Sequence, residues 1–70
     1  MERVQVGSSN LASIGYDPST ETLEIEFLNG RIYEYYGVPE SIYTDLMGAS
    51  SHGVYFRAHI MNSFSYQRTQ

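Results

Sequence analysis

The stretch Thr22-Leu23-Glu24-Ile25-Glu26-Phe27-Leu28-Asn29-Gly30-Arg31-Ile32-Tyr33-Glu34-Tyr35-Tyr36 decides the fold. Its first six residues alternate polar and apolar, the period-2 pattern of a β-strand with one face on a core. Asn29 and Gly30 both tolerate positive φ, which tight hairpin turns require, so the chain is expected to fold back there onto a second strand over Arg31–Tyr36. The register of this hairpin matters, because a slip of one residue sends every side chain to the opposite face. A two-residue Asn29-Gly30 loop sets Ile25 opposite Glu34 and puts a carboxylate among apolar groups. A three-residue loop of Leu28, Asn29 and Gly30, with Gly30 as a left-handed bulge, pairs Ile25 with Tyr33 and Leu23 with Tyr35. The buried face then reads Leu23, Ile25, Phe27, Tyr33 and Tyr35. This register places Glu24 against Glu34 on the outer face, a like-charge cost of about a few tenths of a kcal/mol. Burying one lone carboxylate costs more, so the three-residue loop is expected.

Working outward, Leu11–Tyr16 reads as a preceding strand, joined by an Asp17-Pro18-Ser19-Thr20 turn in which Asp bonds the backbone two residues on. The first ten residues are polar, end in Gly7-Ser8-Ser9-Asn10, and read as a loop. Downstream, Pro39 and Glu40 mark a helix start, and Ile42, Tyr43, Leu46 and Met47 share one face of a helix from Pro39 to Ala49. After Gly48-Ala49-Ser50-Ser51-His52-Gly53, a second short helix is expected over Val54–Ile60, with Tyr55, Phe56, His59 and Ile60 near one side. Phe64 and Tyr66 lie in a last extended segment. The expected fold is α+β: a three-stranded antiparallel β-meander packed against one main helix plus a second short helix, with a C-terminal extended segment. Residues 1–7 read as an N-terminal extension, 8–66 as the domain and 67–70 as a tail.

Seventy residues suffice for one domain, near the lower limit for a fold without disulfides or metal. Hydrophobic residues at 41% against 17% charged are enough for a core. Seven Tyr and three Phe exceed what so small a core easily holds, which points to aromatic surface in a ligand site or a subunit contact, and hence to self-association as a dimer or tetramer. The chain has no Cys, which excludes thiolate zinc sites and fits a cytoplasmic protein. Neither a secretory signal nor a bilayer-spanning run is read in it, so no membrane partner is expected. Eight carboxylates against four Arg and no Lys give a net charge of -4, which disfavours long nucleic acid. Four Arg still suffice to clamp one small anion.

Catalytic constellations are sparse. Ser50, Ser51 and His52 adjoin in sequence, and adjacent side chains rarely aim at one another as a triad requires. His52 and His59 are seven apart, without the i, i+4 spacing of a helical metal site, so neither catalysis nor a cofactor is expected. Tyr33-Glu34-Tyr35-Tyr36 has two readings: strand tyrosines that bury their rings in the core, or a platform on which bases stack. Tyr36, on the opposite face from Tyr33 and Tyr35, is the better surface contact. The turn Ser50-Ser51-His52-Gly53 offers hydroxyls and backbone N–H groups at a helix N-terminus, an arrangement that suits an anion but also describes an ordinary cap. Arg57, one turn on, has two readings as well: a bidentate fork to the same anion, or a solvated charge.

The ordered series Ser8-Ser9-Asn10, Ser13-Ile14-Gly15-Tyr16-Asp17, Leu23–Phe27, Asn29-Gly30, Tyr33-x-Tyr35, Val38-Pro39 and Ser51-x-Gly53-x-Tyr55-Phe56 resembles the KTSC domain family. That family occurs at the C-terminus of some lysyl-tRNA synthetases and as stand-alone bacterial or phage proteins. The resemblance spans residues 8 to 66 and implies a link to RNA that rests on the synthetase context alone. This chain departs from the family pattern at Arg57, where Asn is usual, and at Met61-Asn62-Ser63, where relatives often carry basic residues. With no Lys, the counterion-release contribution to RNA affinity is small. The expected function is therefore a non-catalytic module that holds a small nucleotide-like anionic ligand. Its expected site is Ser50, Ser51, His52, Gly53 and Arg57, with Tyr36 or Tyr55 against the base. An RNA-binding domain and a protein-interaction module are the alternatives.

Overall fold

The computed structural model describes all 70 residues, and its centre is the hairpin the sequence singles out. Strands β1 (Arg3–Gln5), β2 (Leu11–Asp17), β3 (Thr22–Phe27), β4 (Ile32–Tyr35) and β5 (Tyr66–Arg68) form one antiparallel sheet in the order β1-β2-β3-β4-β5. Helices α1 (Glu40–Gly48) and α2 (His52–His59) lie between β4 and β5 in the chain. The β3–β4 register pairs Leu23 with Tyr35, Glu24 with Glu34 and Ile25 with Tyr33, as the three-residue loop requires. Gly30 has φ 89°, the left-handed conformation that a side chain would strain, and its N–H donates to the Phe27 carbonyl at 2.9 Å.

The expected three-stranded meander is corrected to five strands. Arg3–Gln5, read as a polar loop, pairs with Ser13–Gly15 as an edge strand, because main-chain pairing needs no apolar pattern when both faces of the strand are wet. Tyr66–Arg68, read as an extended segment running into a tail, pairs along β4. Flanking bonds from Tyr36 N–H to the Ser65 carbonyl and from Ile32 N–H to the Gln70 carbonyl, both 2.9 Å, anchor its two ends. The assigned extension and tail thus both contribute edges to the sheet.

The core comprises Leu11, Ile14, Leu23, Ile25, Tyr35, Val38, Leu46, Phe56 and Ile60. Leu11 and Ile14 both reach it although three apart, because a bulge between Leu11 and Ser13 shifts the alternation by one residue. Helix α1 buries Leu46, with Ile42, Tyr43 and Met47 partly packed on the core. Helix α2 starts at His52 rather than Val54, since the Ser51 hydroxyl caps it by accepting from Val54 N–H at 3.3 Å. Its buried side is Gly53, Phe56 and Ile60, whereas Tyr55 and His59 stack on each other at 4.4 Å along the flank.

The sheet's outer face carries the acidic strip. The Arg3 guanidinium lies 2.7 Å from Glu24 and donates to the Ser13 hydroxyl at 3.0 Å, which in turn donates to Glu26 at 2.7 Å. The Tyr36 hydroxyl donates to Glu34 at 3.0 Å, so the Glu24–Glu34 juxtaposition is relieved from both sides. Arg3 reaches this position across Gly15, where a Cβ would stand 2.7 Å from the Glu2 carbonyl oxygen and 2.9 Å from Arg3 Cγ. No helix is long and apolar enough to cross a membrane.

Candidate functional site

On the helix-covered side of the sheet, alternation along β4 sets Tyr33 and Tyr35 on one face, and the preceding Arg31 shares it. β5 extends that face: Tyr66 stands opposite Tyr35 and Arg68 opposite Tyr33. The rings form a continuous cluster. Tyr33 meets Phe27 edge-on at 5.6 Å and Tyr66 at 5.7 Å, while Phe56 of α2 meets Tyr35 at 5.4 Å and Phe27 at 5.6 Å. The edge-to-face pairs among them are favourable beyond their burial. The two readings of the tyrosine pair meet here. Tyr35 is core, only 3% exposed, yet with half-buried Tyr33 and 58%-exposed Tyr66 it walls an open cavity of about 420 Å³.

The polar groups of this cavity are one-sided. Arg31 and Arg57 line it, as do Asn10, Asn29 and Asn62, and no Asp or Glu does. The ion pairs of the protein all belong to Arg3, so the Arg31 and Arg57 guanidinium groups have no carboxylate partner. An acidic protein thus presents a cationic, aromatic-floored recess on one side and its glutamate strip on the other. Burial, aided by the neighbouring Tyr33 and Tyr66, pushes the Tyr35 hydroxyl up to about 12. No buried side-chain polar atom lacks a partner and the Tyr35 hydroxyl bonds to no group of the chain, so it keeps access to solvent as a neutral donor.

Of the residues predicted from sequence, Arg57 alone lies in this recess. Ser50 is exposed, Ser51 is the α2 cap, and the His52 ring bonds through Nδ1 with the Leu46 carbonyl at 2.8 Å, joining the two helices. Gly53 is buried beside the Ser8–Asn10 loop. Tyr36 points to the outer face, where burial and its bond to Glu34 raise its hydroxyl above the ordinary range. Tyr55 lies on the α2 flank against His59, its hydroxyl raised by burial and by Asp45. The structure therefore does not bring Tyr36 or Tyr55 to Arg57. Sequence reasoning missed Arg31, Tyr66 and the three asparagines. Arg31 was accessible through the same alternation that placed Tyr33 and Tyr35; the others converge only through tertiary contacts. No cluster of three metal-ligating side chains occurs.

Fold and recess together define a compact α+β domain whose sheet, covered by helices on one face, frames a single aromatic and cationic cavity. Residues 7–64 match the KTSC domain. The chain belongs to that family. It is 45% identical over 56 residues to an uncharacterised protein of Stutzerimonas stutzeri, covering 80% of this chain and 79% of that one. It is 43% identical over 53 residues to a lysine–tRNA ligase of a Nostoc species, a match that covers 76% of this chain but only 9% of the ligase. A crystal structure of a KTSC domain protein from Yersinia pestis superposes with a TM-score of 0.93 at 40% identity, covering 99% of this chain and 97% of the other.

Proposed function

We propose that this protein is a non-catalytic binding module for a nucleotide-sized anion, held in the recess between β4, β5 and α2. The observation that carries the reading is the pair of guanidinium groups, Arg31 and Arg57, without ion-pair partners above an aromatic floor in a recess free of carboxylates. Charge-assisted forks suit phosphate oxygens, and Tyr66, more than half exposed, offers a base a ring face. The volume, about 420 Å³, falls at the small-ligand end of binding cavities. With few cations and a glutamate strip on the opposite face, the domain holds one or two phosphates, whereas tracking a long backbone needs a basic groove. All the groups named come from one chain, so the site does not require a second copy. Self-association is a separate proposal, supported by the exposed Met1 and by the exposed Val4 within edge strand β1, and read by sedimentation. A cytoplasmic setting, supported by the absence of Cys, belongs to the same proposal.

Calorimetry of the protein with mononucleotides, inorganic phosphate and a short single-stranded RNA tests it. The expectation is binding of mononucleotides at roughly micromolar Kd, weakened about tenfold or more in Arg57→Ala, the scale of a lost hydrogen bond to a charged group. Wild-type protein that binds no mononucleotide, or an Arg57→Ala variant that binds as well, refutes the reading. The match to lysine–tRNA ligases favours a second reading, a single-stranded RNA segment. It predicts tight RNA binding with a steep salt slope and weak binding of mononucleotides.

A further inference from the structure

Tyr33, Tyr35 and Tyr66 stand around one another in the recess, with ring centroids 5.5, 5.7 and 6.4 Å apart. Elsewhere in the chain the Tyr16 hydroxyl donates to the Val38 carbonyl and the Tyr36 hydroxyl to Glu34, but the hydroxyls of these three take part in no hydrogen bond inside the protein. Tyr35 is the informative one. Its ring is core, 3% exposed, and packs on Phe56 and Tyr66 as a phenylalanine ring would. The hydroxyl forms no bond, yet no buried side-chain oxygen is left without a partner, so the small part of Tyr35 open to solvent includes its hydroxyl. Tyr35 lines the recess, and the hydroxyl opens there. Burial and the flanking phenols hold its pKa well above the ordinary value, so at neutral pH it is an O–H donor. The neighbouring Arg31 and Arg57 only donate.

We propose that the Tyr35 hydroxyl, flanked by those of Tyr33 and Tyr66, is a contact for the phosphate of the ligand and donates to an oxygen that Arg31 and Arg57 draw into the recess. This rests on the nucleotide reading above. A bond from O–H to an anionic oxygen is roughly twice as strong as one between neutral groups. A phosphate group presents three strong acceptor oxygens, so it takes donation from guanidinium and phenol together. No Asp or Glu lines the recess to compete for these donors. A base edge mixes donors with acceptors and leaves part of such a donor set unused. A phenol also adds affinity for a phosphate without adding charge, which suits an acidic chain that holds one small anion rather than tracking a long polyanion.

Titration of the full chain with AMP and with inorganic phosphate tests the assignment, in wild type, Tyr35→Phe and Tyr66→Phe. Tyr35→Phe keeps the ring and is expected to weaken both probes by the same factor, about tenfold or more, the scale of a lost hydrogen bond to a charged group. Its melting curve at pH 7 is expected to match or exceed that of wild type, because the hydroxyl holds nothing inside the fold. Tyr66→Phe, at an exposed ring, is expected to weaken both probes by less. Unchanged AMP affinity in Tyr35→Phe overturns the contact and leaves the nucleotide reading standing. A loss for AMP with none for phosphate places the hydroxyl on the nucleoside and overturns it too. So does a Tyr35→Phe melt several degrees below wild type, which would give the hydroxyl a partner within the protein. Wild-type protein that binds neither probe overturns both this contact and the nucleotide reading.

Discussion

Alkaline titration of Tyr35 tests the buried wall of the recess. The Tyr35 side chain is 3% exposed and its hydroxyl is pushed up to about 12, whereas an unfolded chain releases that proton near the ordinary value of 10.0. Between these two pH values the unfolded state binds fewer protons than the native state, so stability falls as pH rises. The contribution is fully present below pH 10 and is lost through about pH 12. A tenfold difference in proton affinity between the two states corresponds to about 1.4 kcal/mol, so the loss attributable to Tyr35 is at most about 3 kcal/mol. That is a ceiling, because solvent at the cavity reaches the hydroxyl and screens it. It is nevertheless a large share of the roughly 4 to 10 kcal/mol expected of a domain this size. Tyr35→Phe keeps the ring and its contacts with Phe56 and Tyr66 while removing the titrating group. Urea unfolding followed by circular dichroism at pH 9, 10 and 11 is expected to show wild type losing about 1 kcal/mol more than Tyr35→Phe between pH 10 and 11. Parallel pH dependence of the two proteins refutes the reasoning, since the other raised tyrosines, Tyr16, Tyr36 and Tyr55, are common to both.

Two further substitutions separate scaffold from site. Gly15→Ala places a Cβ 2.7 Å from the Glu2 carbonyl oxygen and 2.9 Å from Arg3 Cγ, so it is expected to push β1 off the sheet edge and cost about 1 to 3 kcal/mol in denaturant melts. A neutral outcome there would show that β1 contributes little to stability. Ser51→Ala removes the α2 cap and is expected to cost about 1 kcal/mol while leaving mononucleotide affinity unchanged. A large loss of affinity with an unchanged melt would return the Ser50–Gly53 turn to the binding site.

The central hairpin was legible in the sequence down to its register. The decision turned on one local comparison, a carboxylate placed in the core against two carboxylates facing each other on the outer face, and the observed Glu24–Glu34 pair follows it. The α1 face and the Asp17 turn were equally local: the Asp17 carboxyl accepts from the Ser19 hydroxyl and N–H, bonds that hold it below the usual carboxylate range. Strand β1 and the pairing of the extended Tyr66–Arg68 segment with β4 escaped the reading for a common reason. Three-residue edge strands with exposed side chains carry no hydrophobic period, and their pairing is written only in main-chain groups that every residue possesses.

The candidate site divides along the same line. Arg31, Tyr33 and Tyr35 share a face by period-2 alternation, and the sequence by itself determined that face, the acidic balance of the chain and the lack of any thiolate ligand. Tertiary structure alone decided that Arg57 joins this wall rather than the Ser50–Gly53 turn, that Tyr66 pairs along β4 to complete it, and that Asn10, Asn29 and Asn62 line the same recess. The physical reason is range: alternation and capping act over a few residues. The recess is closed by groups as far apart in the chain as Asn10 and Tyr66, whose meeting depends on how the helices pack over the sheet and how β5 returns to its edge.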